Sequence, residues 1–186
     1  RKVHKQSKRN KGPFIILNAA LLDIKKYELE LFGEEKENGA ISYGALEKAS
    51  GGTLLIDEIS EIQLETQSKI LRVLTDQKFK RTNGNHDINV DVRIICSSTK
   101  DIKKEIELGN FREDLYHRLN VLEINVEPLN KRVSDIPLLI EYFSEKISSN
   151  YNLKKLKIDT DNQYLINYEW PGNVRELRNL IERIAI

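Results

Sequence analysis

Two adjacent carboxylates, Asp57 and Glu58, stand at the end of the run Gly51-Gly52-Thr53-Leu54-Leu55-Ile56. A short β-prone apolar run of this kind reads as a buried strand, and a strand tip carries acids from a dry core to a solvent-facing edge. In open α/β sheets that edge is where ligands are held. The pair has the chemistry of a nucleotide-hydrolysing site: Asp57 can hold Mg²⁺ through water, and Glu58 can orient or deprotonate an attacking water. Taken alone, the same residues read rather as a strand followed by a solvated turn bearing two charges.

The elements that would position the pair are readable on both sides of it. Phe14-Ile15-Ile16-Leu17 reads as a second buried strand ending at Asn18, after Lys11-Gly12-Pro13 breaks the polar residues 1–10, the expected tail of a helix. Residues 21–32 have a helical pattern that Gly33 stops, residues 34–43 read as a charged loop, and residues 44–49 form a short helical turn. Residues 64–77 carry Ile70, Leu71, Val73 and Leu74 as the stripe of an amphipathic helix. Residues 79–82 and 89–92 are expected to pair as a hairpin across Asn83-Gly84-Asn85. Ile94-Ile95-Cys96 continues as a buried strand, residues 102–119 are helical with a break at Gly109-Asn110, and the alternation of residues 121–126 predicts a last strand before Pro128. Strands separated by helices predict a mostly parallel sheet with crossovers.

Beyond Pro128 the pattern is helical only. Asp135 can cap a helix bearing Ile136, Leu139, Ile140, Phe143 and Ile147, residues 148–157 form a polar connection, and residues 163–168 a short helix. After the turn Trp170-Pro171-Gly172, Asn173 and Glu176 have the spacing of an N-cap and its reciprocal partner. The expected architecture is an α/β layer over residues 1–129 followed by a small all-helical domain over residues 130–186.

Composition narrows the function classes. The chain has 186 residues, 39% hydrophobic and 32% charged, with a net charge of +1. That excludes a global basic field for nucleic acid or acidic membrane, the local positive charge lying in residues 1–11. One cysteine excludes a disulfide framework within the chain, and His4, His86 and His117 have no partners at metal-ligand spacing. No signal peptide or membrane-length apolar run occurs, and a cytoplasmic location is expected. The chain has no methionine, and it is expected to be part of a longer protein.

Five phrases in this order resemble the central ATPase domain of the NtrC-type bacterial enhancer-binding regulators, a branch of the AAA+ family. They are Glu30-Leu31-Phe32-Gly33, the run from Gly51 through Ile59, Lys69-Ile70-Leu71-Arg72-Val73-Leu74, Phe111-Arg112-Glu113-Asp114-Leu115-Tyr116-His117-Arg118-Leu119, and Trp170-Pro171-Gly172-Asn173-Val174-Arg175-Glu176-Leu177. Within the family the wording is closest to the NtrX-type nitrogen-related response regulators. The resemblance implies a partial P-loop NTPase core, a helical lid, and ATP with Mg²⁺ as cofactors. It makes Asp57 and Glu58 the Walker B pair, for Mg²⁺ and for the attacking water. Asn18 matches the residue that holds the catalytic glutamate away from water until a partner engages, and otherwise reads as a strand-end turn former. Thr99 falls at the phosphate-sensing position, where the family usually has asparagine. Arg112 and Arg118 match the arginines offered to a neighbouring subunit's nucleotide in a ring, and otherwise read as surface salt bridges to Glu113 or Asp114. Arg175 matches the lid arginine that senses the γ-phosphate.

The chain departs from the family pattern twice. No Gly-x-x-x-x-Gly-Lys-Ser/Thr sequence occurs. In the family that loop and its strand lie just upstream, so the chain alone is expected neither to bind nor to hydrolyse ATP. Regulators that activate the sigma-54 form of RNA polymerase carry a Gly-Ala-Phe-Thr-Gly-Ala loop after Glu-Leu-Phe-Gly, whereas here Gly39-Ala40 lacks the phenylalanine-threonine tip, which argues against a grip on the sigma factor. The implied parent is a two-component transcription regulator, with a sensor kinase addressing an N-terminal domain and DNA bound by a C-terminal one. Two alternatives stand beside it: a sigma-54-dependent activator ATPase, and a non-enzymatic interaction module.

Overall fold

A computed structural model of the chain describes residues 1–23, 26–153, 158–159 and 162–185. They fall into two units, Arg1–Glu123 and Ile124–Ile186, each with its own apolar core. In the first unit α1 (Lys2–Lys5) precedes β1 (Phe14–Asn18), and α2 (Tyr27–Phe32) runs into a hairpin of β2 (Gly33–Glu35) and β3 (Ile41–Tyr43). Helix α3 (Ala45–Lys48) leads to β4 (Thr53–Asp57), which is followed by α4 (Leu64–Asp76) and a second hairpin of β5 (Lys78–Phe79) and β6 (Ile88–Asn89). Then come β7 (Arg93–Cys96), α5 (Ile102–Glu107) and α6 (Glu113–Leu119). The second unit holds α7 (Asp135–Tyr151), α8 (Gln163–Ile166) and α9 (Asn173–Ala185).

The main sheet is parallel with order β1-β4-β7. β4 takes the centre between β1 and β7, with Leu54 and Ile56 fully buried on one face and Thr53 buried with half-buried Leu55 on the other. Its entry against β1 is open only to glycine: a Cβ on Gly52 would lie 2.0 Å from the Pro13 carbonyl oxygen. The register sets Asn18 beside Asp57 and Cys96 beside Ile56, so the C-terminal ends of the three strands lie along one edge. Below them α4 turns Ile70 and Val73 into the core, where they join Leu31, Leu46 and Leu115.

Several elements differ from the sequence expectation, each for a tertiary reason. Residues 121–126 form no strand, and Val121, Leu122, Ile124 and Val126 are exposed. Alternation alone does not make a strand; its N–H and C=O groups need a ladder partner, and none is present among the described residues. Residues 34–43 are not a loop but mostly the β2-β3 hairpin, which also bridges Glu34 to Thr82. The second hairpin is shorter than expected, pairing only Lys78 with Asn89 and Phe79 with Ile88, so that of the expected arms 79–82 and 89–92 only Phe79 and Asn89 take part and Asn83 sits at φ 61° in a wide loop. Over residues 21–32 only Tyr27–Phe32 is α-helical, after a 3-10 turn at Ala19–Leu21; residues 24–25 lie outside the described residues.

The helical unit brings further corrections. Asp135 is the first residue of α7 rather than its cap, and its carboxylate pairs with Arg132 at 3.2 Å. α7 continues through Ser148, which is buried, so the polar connection begins later than expected and residues 154–157 of it lie outside the described residues. Asn173 sends its side-chain oxygen to the Leu129 N–H at 2.7 Å instead of capping α9, while Glu176 reaches back to the Gly172 N–H at 2.8 Å.

Candidate functional site

Asp57 ends β4, half-buried, and its carboxylate is held from both sides. Oδ2 accepts from Asn18 Nδ2 at 3.3 Å, and Oδ1 accepts from the Ser97 hydroxyl. The Asn18 amide is oriented for this by its own oxygen, which accepts the Ala20 N–H at 3.0 Å. Ser97 stands one residue past β7, level with Asp57 by the strand register, and its backbone is tied across the edge through Ser97 N to Ile56 O at 3.0 Å and Ile59 N to Ser97 O at 2.9 Å. Sequence reasoning misses Ser97, whose one signal is a hydroxyl directly after an apolar strand.

Glu58 adopts the left-handed backbone, φ 57° and ψ 53°, and turns the chain out of the sheet into a 3-10 turn at Ile59–Glu61. For a residue with a Cβ this conformation costs about 1–2 kcal/mol. The side chain is pinned: Oε2 accepts both the Thr99 N–H and the Thr99 hydroxyl, each at 3.0 Å. Asn18 therefore meets Asp57, and Thr99 meets Glu58; among the described residues Asn18 makes no hydrogen bond to Glu58. The strand ends thus gather Asn18, Asp57, Glu58, Ser97 and Thr99.

The arginines lie elsewhere. Arg112 precedes α6, its N–H donates to Gln67 Oε1 at 2.9 Å, and its guanidinium grips Asp114 at 3.0 and 2.6 Å. That hydrogen-bonded grip raises the Arg112 pKa and holds the Asp114 carboxyl below its ordinary range. Arg118 donates to the Leu74 carbonyl at 2.9 Å. Arg175 is exposed on the first turn of α9, in the other unit. Among the described residues neither Arg112 nor Arg118 hydrogen-bonds Asp57 or Glu58.

The donor set fits a hydrated cation. Asp57 has no ion-pair partner among the described residues, so its charge is balanced only by hydroxyl and amide dipoles. No group of three His, Cys, Asp or Glu that could hold a metal occurs among the described residues. Mg²⁺, which keeps several waters and takes one or two carboxylates with phosphate oxygens, is the ion such a lone carboxylate suits. A cleft of about 440 Å³ lined by Glu28, Phe32, Lys69, Arg72 and Phe79 contains none of the predicted site residues.

Residues 1–125 match the family model of the sigma-54 interaction domain. The chain belongs to this family. After its sigma-54 interaction domain, residues 130–186 match the AAA+ ATPase lid domain. The chain is 46% identical over 188 residues to the nitrogen assimilation regulatory protein NtrX of Azorhizobium caulinodans, covering 100% of this chain and 41% of that protein. It is 44% identical over 191 residues to the regulatory protein AtoC of Escherichia coli, again 100% of this chain and 41% of that one. The crystal structure of NtrX from Brucella abortus in complex with ADP matches at TM-score 0.93 and 45% identity, over 98% of this chain and 41% of that chain. The sigma-54 interaction domain and lid therefore have the AAA+ α/β fold with a helical appendage. The chain spans about two fifths of the length of these relatives. No helix among the described residues is long and apolar enough to cross a membrane.

Proposed function

We propose that this chain supplies the hydrolytic half of an ATPase within a two-component transcription regulator of the cytoplasm. The observation that carries the reading is the pair Asp57 and Glu58 at the C-terminal edge of a parallel sheet, with Asn18, Ser97 and Thr99 arranged on their oxygens. In the reaction a water oxygen attacks the γ-phosphorus, the bond from that phosphorus to the β–γ bridging oxygen breaks, and ADP leaves. Glu58 takes the proton of the attacking water. Asp57 would hold Mg²⁺ through water, and that ion supplies charge neutralisation on the phosphates when bound. Thr99 sets the direction of Glu58, and Asn18 and Ser97 set that of Asp57.

Arg112 and Arg118 serve the neighbouring subunit's nucleotide in a ring, and Arg175 serves the nucleotide of its own subunit. An arginine reaching the γ-phosphate in trans is worth about 10³ to 10⁵ in rate, which makes hydrolysis conditional on assembly. The grip on Asp114 is exposed on both sides and leaves Arg112 free to exchange a carboxylate for a phosphate. Phosphate binding itself requires a P-loop that this sequence lacks, so the chain alone does not turn over. NtrX of Brucella abortus was solved with ADP and with ATP, which supports a nucleotide as the ligand.

A second reading, ATP-driven activation of sigma-54 polymerase, is favoured by the family match over residues 1–125. Against it stands the tip of the β2-β3 hairpin, Lys36-Glu37-Asn38-Gly39-Ala40, which is exposed and carries no apolar side chain larger than alanine. ATP-dependent open-complex formation at a sigma-54 promoter by the full-length protein separates the two. The remaining contacts, a sensor kinase and DNA, belong to domains outside this chain.

The deciding experiment compares ATP binding and turnover of this chain with one extended upstream by about 30 residues, the length of a strand-loop-helix unit. Only the longer chain is expected to hydrolyse, with specific activity rising with concentration and lost in Glu58→Gln and in Arg112→Ala. Absence of binding in both returns the chain to a non-enzymatic interaction module.

A further inference from the structure

We infer that Gln67 is a positioning residue that fixes the loop bearing Arg112 to the turn that follows Glu58; the inference rests on the reading of Arg112 as the arginine offered in trans. Gln67 lies in the first turn of α4 and is fully buried. Its Nε2 donates to the Ile62 carbonyl at 2.7 Å and to the Asn110 carbonyl at 3.0 Å, while Oε1 accepts the Arg112 N–H at 2.9 Å. Both amide hydrogens and the amide oxygen are used, and the reverse orientation would set oxygen against two oxygens, so the network dictates how the amide sits.

The three partners belong to two segments that α4 alone would not join. Ile62 closes the 3-10 turn that begins directly after Glu58 and is tied to the sheet edge through Ile59 N and Ser97 O. Asn110 and Arg112 flank the buried Phe111, and the other end of their loop is fixed where Asn110 N and Phe111 N meet the Glu105 carbonyl. Arg112 has extended backbone at the N-cap of α6, φ −80° and ψ 129°, and the bond its N–H makes anchors the backbone from which its side chain departs. That bond is to Gln67. The partners are backbone groups of two separate segments, which an apolar side chain would leave unpaired, so the amide is what lets these segments meet in the core. Its distinctive product here is a fixed spacing between the acid of one subunit's own site and the arginine that subunit lends to its neighbour.

The test is made in the full-length protein with Gln67→Met, which keeps length and volume and removes all three hydrogen bonds. Misplacing a catalytic group by about 1 Å costs about 100-fold, so turnover is expected to fall about 100-fold with the KM for ATP changed less than about threefold. Because the defect lies in what a subunit lends, mixing Gln67→Met with Glu58→Gln is expected to restore turnover at interfaces where an intact Glu58 faces an intact Arg112. Arg112→Ala mixed with Glu58→Gln is the reference pair. Turnover of Gln67→Met within threefold of the unmutated protein, or no recovery on mixing while the reference pair recovers, overturns the inference. Full turnover by Arg112→Ala alone would instead remove the reading of Arg112 on which it stands.

Discussion

At the residue scale the site is a set of restrained carboxylates. Glu58 keeps a left-handed backbone that a non-glycine residue adopts at a cost, and two hydrogen bonds from Thr99 hold its side chain once there. Strain of this kind persists only where the surroundings over-determine it, and it gathers at functional positions. Thr99→Val removes the hydroxyl bond and leaves the N–H bond. In a chain extended to include a P-loop we expect its turnover to fall about tenfold, less than the roughly 10² to 10⁴ that a general base supplies because the N–H bond still directs Glu58, with ATP affinity unchanged and Thr99→Ser recovering most of the loss. Equal turnover in the valine and serine variants, measured at saturating ATP, would remove Thr99 from the mechanism. The acids themselves were legible in the sequence, because two charges directly after a sealed apolar strand mark where the chain leaves the core for the sheet edge. Their partners were not: whether Asn18 faces Asp57 or Glu58 depends on the register of β1 against β4 and on the turn at Glu58, which a linear pattern does not carry.

At the element scale the two hairpins are held together by one arginine. Arg81, in the loop after β5, donates Nε and Nη2 to Glu47 of α3 at 2.8 and 2.6 Å and Nη1 to Glu35 of β2 at 2.9 Å, with its guanidinium 5.5 Å from the Tyr43 ring. The Glu47 pair is well shielded, at 11% side-chain exposure for each partner, and hydrogen bonds to both carboxylates raise the Arg81 pKa. Removing one partner of a buried pair strands the other charge. Arg81→Ala is therefore expected to cost about 3–5 kcal/mol in denaturant unfolding, and Arg81→Lys to recover less than half of it, since an ammonium cannot reproduce the planar fork. A loss of stability below about 1 kcal/mol for Arg81→Ala would mean that water replaces the guanidinium. The same clamp accounts for what the sequence did not disclose. β2 (Gly-Glu-Glu) and β3 (Ile-Ser-Tyr) are only three residues each and bury neither Ile41 nor Tyr43, too short a pattern to betray a strand, and they form because Arg81 and the Thr82 backbone hold them. α4, β4 and β7 were legible because each buries a periodic apolar face against its neighbours. Residues 121–126 carried the alternation of a strand without the partner that would make one.

At the scale of the whole molecule the two units have separate cores, and two natural probes report on them one at a time. Trp170, the only tryptophan, is buried in the second unit, edge-on to Tyr168 at 5.0 Å and donating from Nε1 to the Leu165 carbonyl at 2.8 Å. Cys96, the only cysteine, ends β7 in the first unit, where burial pushes its thiol from 9.0 up to about 12. A raised acid pKa means that the fold favours the neutral thiol. Its contribution is complete below the unfolded value near 9 and is lost as pH rises through about 12. At pH 8 a thiol reagent should therefore label Cys96 slowly in the folded chain, and labelling should follow unfolding of the first unit. The second core is built on eight buried apolar residues among those described, against nineteen in the first, and the area removed from water scales accordingly. We expect the fluorescence of Trp170 to shift to the red at lower denaturant than that at which Cys96 becomes reactive, so that unfolding is not two-state. Coincident midpoints would show instead that the two cores melt as one cooperative body and that neither unit keeps its fold without the other.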